Sequence, residues 1–196
     1  MPNWCSNTLT LQHDDPIMIQ RARDAFEDGR LLDEFIPVPA ELKETTADGQ
    51  LDAGLVNQHG YGNWYDFCVN EWGTKWDVGR PDGINDTDDH MLCVYFDSAW
   101  APPVNAYAKL QEQGFRLDAM YYEPGMGFCG KYDEFGDDCY ELQGMNSSDV
   151  IDNIPKDIDE AFGISEHMQM MEEDAEPLTE WYVQGVKDKG LTNDNE

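Results

Sequence analysis

Lys75 is a rare cation set among indoles. The aromatic set Trp64, Tyr65, Trp72, Trp76 and, farther along, Trp100 could line a pocket with Lys75, the rings as flat apolar walls and the ammonium as the only charged donor. Such a pocket suits an anionic ligand, although Lys75 could equally pair with Asp77 or Glu71 while the tryptophans pack as core. Residues Gly125-Met126-Gly127-Phe128-Cys129-Gly130 fit the pattern G-x-G-x-x-G. A dinucleotide loop must open a helix whose N-terminus meets the pyrophosphate. Here Lys131 to Phe135 follow, strand-like and anionic, so the motif reads as a Gly-rich turn between two strands and no cofactor is expected. Asp82 to His90 gathers carboxylates that could ligate a hard cation, but it lacks the alternating ligands, central Gly and closing Glu of a calcium loop. It reads as a solvated turn. His13, His59, His90 and His167 are dispersed, and Cys5, Cys68, Cys93, Cys129 and Cys139 form no C-x-x-C pair, so no metal site is expected. Neither a nucleophile elbow nor a phosphate loop occurs, and no catalytic residues stand out.

The carboxylates are the remaining signal. There are 41 Asp and Glu against 12 Lys and Arg, a net charge of −29. A protein that grips a phosphate backbone needs a basic stripe, so direct nucleic-acid binding is excluded, as is adsorption to an anionic membrane. Duplex DNA carries one charge per about 1.7 Å of axis. Carboxylates at a similar pitch can occupy the cationic groove of a DNA-binding protein, although high net charge also simply keeps a protein soluble. Residues 133–196 hold 19 acids and 3 bases, against 22 and 9 in residues 1–132. The candidate partner-binding residues are therefore Asp133, Glu134, Asp137, Asp138, Asp157, Asp159, Glu160, Glu172, Glu173 and Asp174. Met168, Met170 and Met171 offer an adaptable contact surface or an ordinary packed helix.

Apolar residues make up 40% of the chain and aromatics 12%, so a folded core is expected despite the charge. An odd cysteine count, an N-terminus without a secretory pattern and the absence of an 18-residue apolar run lead us to expect a cytoplasmic protein.

The elements follow from periodicity. Trp4 to Gln12 alternates Thr with Leu, a strand with one buried face. Asp14 or Asp15 before Pro16 starts a helix that runs to Gly29. Pro37 and Pro39 make Leu31 to Leu42 extended and irregular, and polar Glu44 to Gly60 reads as a loop. Tyr61 to Trp72 has helical spacing, with Gly73 as cap. Lys75 to Val78 reads as a short strand, Arg80 to Asp89 as a turn, and Met91 to Phe96 as a buried central strand. Pro102-Pro103 opens a helix closed by Gly114. Phe115 to Tyr122 is a strand, and Phe128 to Asp133 with Cys139 to Leu142 a hairpin. This order predicts an α+β fold: a ferredoxin-like, split βαβ antiparallel sheet with helices on one face. The expected organisation is a domain over 1–143, an acidic helical C-terminal segment over 144–186 and a disordered tail over 187–196.

Four stretches recur together in one known family: Asn3-Trp4-Cys5-Ser6-Asn7, Trp72 to Asp77, Phe96 to Pro103, and Tyr122 to Gly130. Over roughly Met1 to Leu142 the chain resembles the YubB-type ferredoxin-like family carried by bacterial plasmids and phages. Ala101 stands where the family has Ser before the proline pair. The resemblance implies a ferredoxin-like fold and a mobile-element origin, and it carries no catalytic residues.

The expected function is that of a non-enzymatic acidic interaction protein of a phage or plasmid. It would inhibit a host nucleic-acid-handling or defence protein by DNA mimicry. The alternative is a small-ligand-binding protein or enzyme using the Trp/Lys pocket at the end of the sheet.

Overall fold

The computed structural model describes residues 3–47 and 52–174. By contacts the chain divides into two compact units, Met1–Gln143 and Gly144–Glu196.

The first unit is built on a six-stranded, wholly antiparallel sheet. Strand β1 (Trp4–Gln12) lies inside it, paired on one side with β3 (Met91–Ala99) and on the other with β4 (Arg116–Glu123). Strand β2 (Ile84–Thr87) forms one edge. The hairpin of β5 (Phe128–Asp133) and β6 (Gly136–Glu141) forms the other, giving the order β2-β3-β1-β4-β5-β6. Burial in β1 has strict period two: Cys5, Asn7, Leu9 and Leu11 are buried, and Ser6, Thr8 and Thr10 are less so. The register sets Leu9 between Val94 and Ala119 and Leu11 between Leu92 and Leu117, so the apolar rows of three strands coincide. Helices α1 (Pro16–Glu27) and α6 (Val104–Glu112) add Ile19, Ala22, Phe26, Ala106, Tyr107 and Leu110 to the same core. Asp15 caps α1 by accepting from the Ile17 N–H at 2.9 Å, with Pro16 in its first turn.

Five local expectations need correction. Leu31 to Leu42 is not extended. It holds two short helices, α2 (Leu31–Phe35) and α3 (Ala40–Lys43), with the prolines confined to the link and the start of α3. Helix α2 has no cap in its own sequence; a distant carboxylate, described below, supplies one. Within Glu44 to Gly60, helix α4 (Ala53–His59) forms because Asp52 caps it and Gly60 ends it in the left-handed region. Lys75 to Val78 is not a strand. The sheet instead takes Ile84–Thr87 from the expected turn, a polar edge strand whose register shifts between Ile84 and Asp86. Four strands separated by two helices were thus expected with the wrong second member. Finally, β3 is not a continuously buried run, since its residues alternate.

Helix α5 (Trp64–Glu71) buries Phe67 and Cys68 and is capped by Asn63, whose side chain accepts from the Asp66 N–H at 2.8 Å. After it, Gly79 leaves less room against backbone than any other described glycine. Its φ is +137°, and an added Cβ would lie 2.2 Å from the Phe26 carbonyl oxygen.

The second unit contains α7 (Ser147–Asn153), α8 (Lys156–Phe162) and a helical stretch over 164–174. Asn146 and Asp149 form a reciprocal capping box at the start of α7. Val150, Ile158 and Ile164 are buried. The last part of the expected 144–186 segment and the expected 187–196 tail lie outside the described residues.

Gly79→Ala should lower the unfolding free energy by roughly 3 kcal/mol, combining left-handed strain with displaced backbone. Gly60→Ala, where a Cβ meets nothing within 4 Å, should lose only about 1 kcal/mol. Denaturant midpoints of the two variants check this, and equal losses would contradict the close approach.

Candidate functional site

The site is a cleft beside the segment between α5 and Gly79. Its volume is about 360 Å³, with Trp64, Trp72, Val38 and Cys68 as apolar lining. Five charged residues also line it: Arg30, Lys43, Lys75, Asp33 and Asp77.

Each wall has an identifiable support. Trp72 is 3% exposed and its indole N–H donates to the Ile36 carbonyl at 3.0 Å, tying the end of α5 to the end of α2. The Trp72 carbonyl accepts from the Ala106 N–H at 3.1 Å. Thr74, also buried, donates its hydroxyl to the Ala99 carbonyl at 2.9 Å. Side chains and single backbone bonds thus hold the segment that period-two reading assigned to a strand.

Asp77 is the central anchor. One carboxylate oxygen accepts from the Leu32 N–H at 2.7 Å and the Val78 N–H at 2.8 Å, and the other from the Asp33 N–H at 2.8 Å. Leu31 N–H donates to the Val78 carbonyl at 3.3 Å, closing the junction. The carboxylate therefore serves as the missing cap of α2. Burial pushes Asp77 up from 3.8 to about 6, against the pull of these three donors. Asp33 accepts from the Val38 N–H at 2.9 Å and pairs with Lys43 at 2.6 Å. Arg30 pairs with Glu34 and Asp28.

Lys75 differs from these cations. Among the described residues it has no ion pair and no hydrogen bond. Its ammonium lies 4.7 Å from the Trp76 ring centroid and 5.8 Å from that of Tyr65. The two carboxylates considered as partners are engaged elsewhere: Asp77 with backbone amides, and Glu71 with the Tyr61 hydroxyl and Lys109. Trp76 is 40% exposed, stacks obliquely near Trp4 at 5.9 Å, and also lines a second cleft with Arg80, Phe96 and Asp97.

Of the expected pocket residues, Trp72, Lys75 and Trp76 are thus brought together, and Trp100 is not. It lies outside this cleft, 47% exposed, at φ 73° after β3, with its N–H on the Asn3 carbonyl at 3.0 Å. Trp64, also expected as lining from its sequence, joins them, whereas Arg30 and Lys43 were not expected there. Lys43 and Arg30 lie in stretches without helical periodicity, and their arrival depends on α2 and α3.

The acidic candidates are split between the units. Asp133, Glu134, Asp137 and Asp138 belong to the β5–β6 hairpin, and the other six to the second unit. Several have internal partners. Asp137 accepts from the Tyr121 hydroxyl at 2.7 Å, the Tyr121 ring lying across Gly130. Asp133 caps the hairpin turn at Phe135 N–H. Asp157 accepts from the Ile158 N–H, Asp159 holds Ser165, Lys156 pairs with Glu160, Glu172 holds Ser147, and Glu173 accepts from Gln169. Asp174 is exposed.

The Gly125–Gly130 motif joins β4 to β5 and runs into a strand. The buried Glu123 carboxylate accepts from the Gly125 N–H at 3.0 Å and from the Met126 N–H, so two loop amides face an anion of the protein itself. In the Asp82–His90 stretch, Asp86 and Asp88 accept from the N–H groups of Thr87 and His90. Among the described residues no three His, Cys, Asp or Glu side chains are placed to hold a metal ion. Burial pushes the Cys5 and Cys68 thiols up to about 12. No described helix is long and apolar enough to cross a membrane.

No family model matches the chain, and no curated protein matches it. Among solved structures it is similar to the crystal structure of a protein api92 from Yersinia pseudotuberculosis, family-model DUF1281. The identity is 13% and the TM-score 0.41, over 74% of this chain and 100% of that one.

The raised Asp77 carboxyl fixes a sign. The folded protein takes up this proton at a higher pH than the unfolded chain does. The contribution of Asp77 to stability therefore falls as pH rises from about 4 to about 6, by up to roughly 1.4 kcal/mol per pH unit. Above that window it is constant. Asp77→Asn should remove this slope, so the stability difference between wild type and variant should change across the window. A difference independent of pH there, measured by denaturant titration, would contradict the assignment.

Proposed function

We propose that the protein is a non-enzymatic, acidic interaction protein that binds a basic surface of another protein through its β5–β6 hairpin. The observation that carries this reading is how internal charge is paired. Of the ten described Lys and Arg residues, eight are in ion pairs with carboxylates. The cations are thus largely committed, while Glu134, Asp138 and Glu141 have no ion pair among the described residues. The last two lie on β6, the exposed outer strand of the sheet, whose far side pairs with no other described strand. Carboxylates on both faces of an open edge guard against self-pairing and attract a cationic partner at long range.

Two further parts of the reading rest on separate support. The strand order β2-β3-β1-β4, with α1 between the first and second strands and α6 between the third and fourth, supports a ferredoxin-like body. The recurring stretches quoted above support a mobile-element origin. The partner is then a nucleic-acid-handling or defence protein of a bacterial host. Its cationic groove is built for a polyanion, and this chain inhibits it in the cytoplasm as a DNA mimic. The acidic helical segment after residue 143 contributes further carboxylates.

Capture from bacterial lysate at low and high salt tests the proposal, with the triple variant Glu134→Gln, Asp138→Asn, Glu141→Gln as comparison. The expected result is a basic protein held at low salt, released at high salt, displaced by duplex DNA and largely lost by the variant. No salt-sensitive basic protein, or undiminished capture by the variant, would overturn it.

A further inference from the structure

The cleft beside α5 has a charge balance unlike that of the whole molecule. Three of the ten described Lys and Arg residues line it, in a chain of net charge −29. Two of these, Arg30 and Lys43, are neutralised by Glu34, Asp28 and Asp33. The carboxylates of the lining are equally committed: Asp33 holds Val38 N–H and Lys43, and Asp77 holds three backbone amides. One charged group is left over, the Lys75 ammonium, which faces indole and phenol rings and meets no acceptor among the described residues.

We infer that this cleft is a binding site for a small aromatic monocarboxylate, with the ring among Trp64, Trp72 and Trp76 and the carboxylate on Lys75. Three observations select that class. The lining offers three indoles and a volume of about 360 Å³, which suits a ligand of one or two rings. The single unpaired cation matches a single negative charge. The third concerns phosphates and other dianions, which favour free backbone amides at a helix start. Here the Leu32 and Asp33 amides at the start of α2 already donate to Asp77. The repulsion from a body of net charge −29 also grows with the charge of the ligand.

The site shares no residue with the hairpin of the preceding proposal, so either reading can fail alone. Phenylacetate is the probe, with phenylethylamine as its cationic counterpart and benzylphosphonate as a dianion, compared at about pH 9, where the phosphonate is doubly ionised and an ordinary lysine ammonium keeps its charge. Titrations of the full chain are followed by the indole N–H signals in nitrogen–proton NMR spectra, assigned with single Trp→Phe variants. Phenylacetate should shift the Trp64 and Trp76 signals saturably, and phenylethylamine should not. Lys75→Met should weaken binding by about tenfold, the order of one charge-assisted hydrogen bond, and Lys75→Arg should retain most of it. No saturable shift, an equal response to phenylethylamine, or unchanged affinity in Lys75→Met would overturn the inference. Tighter binding of benzylphosphonate than of phenylacetate would overturn the monoanion class. Should Lys75→Met fail to fold, the ligand series on the unaltered protein and the Lys75→Arg variant decide the question.

Discussion

The Asp77 carboxylate makes the densest link between two distant parts of the chain, which the Leu31–Val78 backbone bond and the Trp72–Ile36 bond also join. The five-residue helix α2 is too short to form alone and carries no cap of its own. The segment after Trp72 has no strand partner. By accepting from Leu32, Asp33 and Val78 together, Asp77 satisfies the start of the helix and fixes the segment in one stroke. The cleft inherits its shape from that junction. Trp72 reaches Ile36 because α2 is in place, Lys43 reaches Asp33 because α3 follows it, and Lys75 and Trp76 stand between them. The ionised carboxylate is held at some cost in stability, since burial opposes the charge that the three amides favour.

Scarcity of cations is the second constraint. With 12 Lys and Arg for 41 carboxylates, most cations are drawn into pairs wherever folding brings them near an acid. Surface pairs of this kind add little stability each. Their consequence is a distribution: anionic surface on the β5–β6 hairpin, and one positive group remaining in an aromatic cleft. The same imbalance thus underlies both the proposed partner surface and the proposed ligand site.

Legibility in the sequence tracked how local each determinant is. Strand β1 and helix α1 could be read from Leu9 and Leu11 alternating with Thr8 and Thr10, and from Asp15-Pro16, because alternation and capping lie within a few residues. The hairpin followed from Gly and aromatic punctuation. Helix α2 could not be read, because its cap arrives from Asp77. Strand β2 was hidden, because an edge strand needs little apolar content and Ile84-Asn85-Asp86-Thr87 resembles a turn. The grouping of Trp72, Lys75 and Trp76 was visible from their adjacency. That Lys75 stays unpaired was not, since it depends on where Glu71 and Asp77 find other partners. Trp100 is grouped with them on its type and on the expectation that its stretch meets Trp72 to Asp77; the stretches do meet, at Thr74 and Ala99, but Trp100, left-handed in its backbone, lies outside the cleft.

The central claim is that Lys75 is an uncompensated cation in an aromatic cleft. A crystal structure of the full chain grown with phenylacetate tests it most directly. The account predicts the aromatic ring among the indoles of Trp64, Trp72 and Trp76, the carboxylate within hydrogen-bond reach of Lys75 Nζ, and Asp77 still on the amides of Leu32, Asp33 and Val78. An empty cleft with Lys75 paired to Asp77, Glu71 or another carboxylate of the chain would contradict it.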